Sequence, residues 1–176
     1  MSFSNLAGEG PDAAAAYVAN LLALLGDQDP LTVLTGTPAW CADAVAQVPA
    51  ARLQRAESPG KWSVAGVLQH LADSEGVNGH RIRTMLVEDH PTIAAYDQDA
   101  WARVFDYASA DPHTAMRDFA AIRAANLRLW QSLDVGALAR GGVHAERGVE
   151  TVGNLLRLLA AHDLVHRRQI ERILRQ

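Results

Sequence analysis

Two histidines, His162 and His166, lie four residues apart in a stretch whose apolar residues recur every three or four positions. Val152, Leu155, Leu159, Ile170 and Ile173 mark the buried stripe of a helix, and its continuation lands on the two histidines where leucines would otherwise stand. Residues i and i+4 stack along one helix face with Cβ atoms about 5–6 Å apart, so both imidazoles can reach a single metal ion. The spacing alone is weak evidence, but a buried imidazole needs a partner for each nitrogen. A third ligand has to come from another helix. His80, His90, His113 and His144 fall near glycines, prolines or helix ends, whereas His70 falls mid-helix beside Val67 and Leu71. It stands at the edge of that apolar face, where a boundary histidine fits as well as a ligand.

Other polar residues interrupt apolar faces. Asn126 sits among Phe119, Ile122, Leu129 and Leu133, and Glu75 and Asn78 continue the stripe from Leu71 toward Ile82. All three are candidates to line a polar cavity; for Asn126 a hydrogen bond that sets bundle register is the competing reading. Asp163 and Asp73 each adjoin a candidate ligand face and can orient an imidazole through its second nitrogen, or simply be solvated acids. Trp101 is a candidate cover for a pocket mouth, with a packed core tryptophan as the alternative. Cys41, among Trp40, Ala44 and Val45, reads as a buried inert thiol.

These residues need helices to carry them. Apolar residues recur at three and four rather than alternating, alanine and leucine are abundant, and the chain reads as all-α. A first helix spans about 12–25, opened by Pro11 and closed by Gly26. Pro30 to Val48, interrupted by Gly36 and Pro38, is two short helices or one kinked one. Ser63 caps a long helix to about Glu88, with Gly66, Gly76 and Gly79 inside it; each costs about 1 kcal/mol relative to alanine, so packing must hold this helix or something must approach its backbone. Residues 92–96 read as loop, Asp97 to Tyr107 as a short helix, and Asp111-Pro112 as the start of another long helix. A glycine-containing loop through Gly141, Gly142 and Gly148 precedes a last helix capped by Thr151. The economical packing is a four-helix bundle with extra short helices, a single domain over 1–176 with its bundle core at about 30–175.

Composition narrows the partners. The 176 residues carry 16 basic and 20 acidic side chains, a formal charge of -4, with no block of like charge, which disfavours nucleic acid and anionic membrane surfaces. The nearly apolar run Ala13 to Leu25 is shorter than the roughly 20 residues a membrane span takes. One cysteine permits no internal disulfide, and Met1 to Asn5 lacks the pattern of a signal peptide, so a cytoplasmic setting is expected.

The run Gly60-Lys61-Trp62-Ser63-Val64, continuing from Val67 to Glu75, resembles the first signature of the DinB/YfiT-like superfamily, and Leu155 to Ile170, with His162-Asp163 and His166, resembles the second. Arg81 to Trp101, with Pro91 and Asp97, is similar to one branch of that family. The resemblance covers roughly residues 30–175. It implies an up-down-down-up bundle and one divalent metal ion, usually zinc or nickel, on His70, His162 and His166 with water completing the site. Some members transfer low-molecular-weight thiols, others are named hydrolases, and a homodimer is expected only by analogy. Three neutral imidazoles leave the ion its double charge and an open position, as in catalytic zinc sites, and acidify a bound thiol or water. A thiol S-transferase acting on a small electrophile is the first expectation. A hydrolase using metal-bound water is the second: the H-E-x-x-H arrangement is absent because Asp163 follows His162, and Glu75 would have to be the general base. A non-enzymatic metal-dependent sensor or binding module is the third. Paired Glu-x-x-His motifs of a di-iron bundle do not occur.

Overall fold

The computed structural model describes residues 11–176; the reading of Met1 to Asn5 falls outside them. Helix α1 spans Pro11–Leu25, α2 Pro30–Val45, α3 Ala50–Leu53, α4 Val64–Val87, α5 Gln98–Val104, α6 Pro112–Trp130, α7 Val135–Ala139 and α8 Val152–Leu174. The expected caps form. Ser63 Oγ accepts from the Gly66 amide at 3.1 Å, Asp111 from Thr114 at 2.7 Å and Thr151 from Asn154 at 3.1 Å, each satisfying an amide that a helix start leaves without a partner.

The long helices α2, α4, α6 and α8 form the bundle, with α1 packed on α8. Contacts along their lengths set the directions. Arg167 lies 4.7 Å over the Trp40 ring and Arg52, just past α2, reaches the carbonyls of Ile173 and Leu174, so α2 and α8 run parallel. Near the start of α4, Gly66 faces the Tyr107 carbonyl just ahead of α6, while Glu75 and Gly79 meet Asn126 late in α6; these two are parallel as well. His70, early in α4, meets His162 in the middle of α8, and Arg140, ahead of α8, donates to the carbonyls of Met85 and Glu88 at the end of α4, so α4 and α8 are antiparallel. The result is an up-down-down-up bundle.

Pro30 to Val45 is one helix despite Pro38. Proline has no amide hydrogen to give the carbonyl four residues back, and here the Leu34 carbonyl accepts instead from Arg123 Nη1 at 2.8 Å. The glycines of α4 also find a reason at Gly79, where a Cβ would stand 2.5 Å from Asn126 Nδ2. Only a bare backbone lets that amide settle against the helix.

Two expectations of loop are corrected. Thr92–Ile93 (β1) pairs parallel with Gly141–His144 (β2), which pairs antiparallel with Gly148–Thr151 (β3), a three-stranded sheet beside the end of α4 and the start of α8. Its pattern hid it: in β2 and β3 Gly142, His144 and Glu150 are buried while Val143 and Val149 are exposed, and Ile93 on the two-residue β1 is the one buried aliphatic side chain of the sheet. Short α3 and α7 also replace expected coil, and the expected helix through Tyr107 ends at Val104 with a separate 3-10 turn over Tyr107–Ser109. The buried stripe of α6 is rotated from the expected one: Met116, Phe119, Arg123, Asn126 and Trp130 face inward, and Ile122 and Leu129 are only half-buried. No described helix is long and apolar enough to cross a membrane.

Candidate metal centre

The apolar stripes of α4 and α8 carry His70, His162 and His166 to one point. His162 Nε2 lies 3.0 Å from both His70 Nε2 and His166 Nε2, and the three ligand atoms fall within 4.8 Å of one another. His70 and His166 are buried, and His162 is half-buried. His166 Nδ1 is 2.8 Å from Gln169 Oε1; as an N–H it donates there, leaving its Nε2 with a bare lone pair facing the cluster. His70 Nδ1 is buried with no hydrogen-bond partner.

Three clustered imidazole nitrogens frustrate one another without a cation. Each Nε2 offers one in-plane lone pair or one hydrogen, and His162 Nε2, facing two others, cannot pair well with both. A divalent ion accepts all three lone pairs, and three neutral donors at closely spaced Nε2 atoms are the donor set of an open zinc-type site. The residues fit such an ion.

Burial lowers all three histidine pKa values, His70 and His162 well below 6.5 and His166 to about 4, with neighbouring imidazoles adding to the first two. The rings are therefore neutral and ligation-competent at neutral pH. Because the folded pKa values lie below those of the unfolded chain, this contribution to stability is complete above about pH 6.5 and is lost as pH falls toward about 4. Metal-free protein is expected to melt at progressively lower temperature across that window, with a shallower fall in His166→Gln; identical slopes in both proteins would refute it.

The remaining residues singled out in the sequence take different places. Asp163 does not touch an imidazole. It forms a bidentate pair with Arg123, Oδ2 to Nη1 at 2.7 Å and Oδ1 to Nη2 at 3.1 Å. Glu75 lies on the other side of the same guanidinium, Oε2 to Nε at 2.8 Å, and its Oε1 accepts from Asn126 Nδ2 at 2.8 Å. Burial raises the Glu75 pKa, with Arg123 and Asn126 pulling it back down. Asn126 also accepts from Arg83 at 2.7 Å, so it bridges α4 and α6. Asp73 accepts from the Tyr107 hydroxyl at 2.5 Å. Asn78 donates to the Ser74 carbonyl and lines a cavity beside His162. Trp101 stacks edge-on against Tyr96 and Phe105. Cys41 is fully buried, and burial pushes its thiol up to about 12.

Arg123 is the residue the sequence reading passed over. Its place four after Phe119 and three before Asn126 was the available signal. Trp62, 4.8 Å from the His70 ring, and Gln169 were also missed as parts of the centre.

Two cavities adjoin the cluster, a narrow one of about 140 Å3 and a wide cleft of about 1200 Å3; His162 lines both, and His166, Gln169 and Trp62 line the cleft. Glu75 lines neither.

The comparisons agree with this architecture. Residues 34–170 match the model of the DinB superfamily. "Putative metal-dependent hydrolase YfiT" of Bacillus subtilis is 29% identical over 137 residues, covering 77% of each chain. "Putative metal-dependent hydrolase OB0782" of Oceanobacillus iheyensis is 28% identical over 107 residues, a match spanning 61% of this chain and 62% of that relative, under two thirds of its length. The solved structure of YfiT, described as a "probable metal-dependent hydrolase with an unusual four-helix bundle topology", superposes with a TM-score of 0.77 at 28% identity, covering 83% of this chain and 84% of YfiT. A mycothiol-dependent maleylpyruvate isomerase shares the fold, with a TM-score of 0.65 at 13% identity over 88% of this chain and 68% of its own. With 137 residues matched by the family model, the bundle topology shared and a histidine cluster at its centre, this chain belongs to the DinB superfamily.

Proposed function

We propose that this chain is a metal-dependent thiol S-transferase in which a divalent ion, zinc or nickel, held by His70, His162 and His166, activates a low-molecular-weight thiol toward a small electrophile. The supporting observation is the meeting of two cavities of unequal size at His162. Hydrolysis asks for room for one substrate and a water, and adjoining compartments suit a transfer between two substrates. When bound, the ion supplies its full charge on neutral ligands and an open coordination position, which acidifies a thiol or water placed there.

The chain's own residues orient this centre. The hydrogen bond from His166 to Gln169 fixes the ring so that Nε2 faces inward, as metal-ligating histidines require. Trp62 packs over His70 and limits its rotation. Lys61 and Arg168 lie along the wide cleft and favour an anionic thiol there.

The names of the relatives favour hydrolysis, whereas the setting of Glu75 supports transfer. Both its oxygens are engaged, by Arg123 and Asn126, and it lines neither cavity. A general base has to reach its proton directly or through one water. Cobalt-substituted protein titrated with glutathione and with cysteine is expected to develop a thiolate-to-metal charge-transfer band, followed by turnover when an electrophile is added. Thiol transfer in Glu75→Gln should stay within about fivefold of the parent, the scale of one altered hydrogen bond. A loss of about a hundredfold, the size expected for removing a general base, with hydrolysis in the absence of thiol, would establish the hydrolase instead. A thiol band with no turnover would leave a metal-dependent binding module.

A further inference from the structure

The narrow cavity is lined by a buried N–H without an acceptor and by a buried guanidinium without an ion pair among the described residues. His144, 2% exposed, accepts at Nδ1 from the amides of Glu146 at 3.1 Å and Arg147 at 3.4 Å. Its proton therefore sits on Nε2, and that buried N–H has no acceptor. Burial, reinforced by Arg147 and Arg81, lowers the His144 pKa to about 4, so the ring is a neutral donor at neutral pH.

Arg81 is the second. It is 7% exposed and donates to Asn78 Oδ1 at 3.2 Å and to the Ala94 carbonyl at 2.5 Å, two neutral acceptors for five N–H donors. It stands 5.5 Å from the Tyr96 ring and takes part in none of the ion pairs among the described residues; Glu150 and Glu146 act on it only at longer range, too weakly to offset the lowering of its pKa by burial and Arg147. Neighbouring Arg147 is different, since Glu150 neutralises it bidentately at 3.1 and 2.8 Å. Glu146, half-buried in the cavity wall, is not within ion-pair distance of Arg81. A buried guanidinium without a contacting counter-charge is costly, and so is a buried N–H without an acceptor. Both line one cavity, whose remaining wall includes Leu155, Leu158, Leu159 and His162 of the cluster.

We propose that this cavity is a carboxylate-binding subsite, in which Arg81 and the His144 Nε2–H hold the carboxylate of a small substrate whose apolar body lies along α8 and whose reacting end points to the histidine cluster. A planar carboxylate matches the guanidinium fork, and the leucines select an acid with a hydrocarbon body over a fully polar anion. The orientation toward the cluster rests on the proposed function; the anion subsite stands without it.

The test reads binding rather than turnover, on both metal-loaded and metal-free protein, so failure of the transferase reading and failure of the subsite are separable. Butanoate, butanamide and inorganic phosphate are titrated into protein labelled with 15N at histidine. Butanoate is expected to saturate, to shift the His144 Nε2 resonance in both forms, and to bind about tenfold or more tightly than butanamide. His144→Ala should weaken butanoate by about tenfold or more, and Arg81→Met by at least as much, with Arg81→Lys between native and Arg81→Met. Circular dichroism checks that the variants fold, and the acid-against-amide comparison on the native protein needs no variant. Equal binding of acid and amide, no saturable shift at His144, variants that bind like the native protein, or binding seen only with metal present would overturn the subsite. Phosphate bound more tightly than butanoate would overturn its assignment to carboxylates.

Discussion

Replacing His162 by alanine is expected to lower bound metal from about one divalent ion per chain to near the apo level at neutral pH. His162 is the shared member of the cluster, with Nε2 3.0 Å from each of its partners, so its removal leaves two nitrogens on opposite sides of a gap. Two imidazoles alone bind such ions far more weakly than three, and His70→Ala or His166→Ala should each have the same consequence. The fold should survive, because the half-buried position of His162 accepts a smaller side chain without stranding a charge. Elemental analysis of protein purified without an affinity tag or chelator, alongside the three variants, measures this. Stoichiometric metal retained in His162→Ala would remove the three-histidine site.

Replacing Arg123 by methionine is expected to cost about 3–5 kcal/mol of stability, the scale of breaking a buried ion pair by removing one partner. Arg123 is 1% exposed and tied to every helix of the bundle: to the Leu34 carbonyl on α2, Glu75 on α4, Asp163 on α8, and the rings of Phe119 and Trp130 on its own α6. Burial works against its charge, yet Asp163 and Glu75 hold it protonated. Methionine would fill much of the space but leave two buried carboxylates without a cation and the carbonyl opposite Pro38 without a donor. For a chain of this size the melting temperature should fall by roughly 10 °C. A combined Arg123→Met and Asp163→Asn variant should recover part of that loss, since one stranded charge is gone. A fall under about 2 °C in the single variant would mean that the buried network is not a stabilising element.

These expectations also mark where sequence and tertiary structure divide the work. The helices were legible because their signals are local. Three-and-four spacing, Ser63, Asp111 and Thr151 as caps, and prolines at helix starts all act within one or two turns. The same locality exposed His162 and His166 as substitutions in an apolar stripe. His70 was ambiguous on its own helix, and the signature around it, rather than its position, supported it as a ligand. The sheet was missed because the buried residues of β2 and β3, Gly142, His144 and Glu150, are not those by which strands are recognised, and β1, with buried Ile93, is only two residues long.

By itself, then, the sequence determined the helical class, the bundle, and the histidines that stand on buried faces, since each of these follows from side-chain periodicity along a single element. Only the tertiary structure decided what the polar residues do. Asp163 and Glu75 both looked like groups for the metal centre and both turn to Arg123, because helix crossing and register determine which buried charges face each other. Likewise His144 and Arg81, some sixty residues apart on a strand and a helix, become neighbours of one cavity only when the sheet packs beside α4. The unmet N–H of His144 and the absent ion pair of Arg81 are properties of that packing, and no spacing along the chain encodes them.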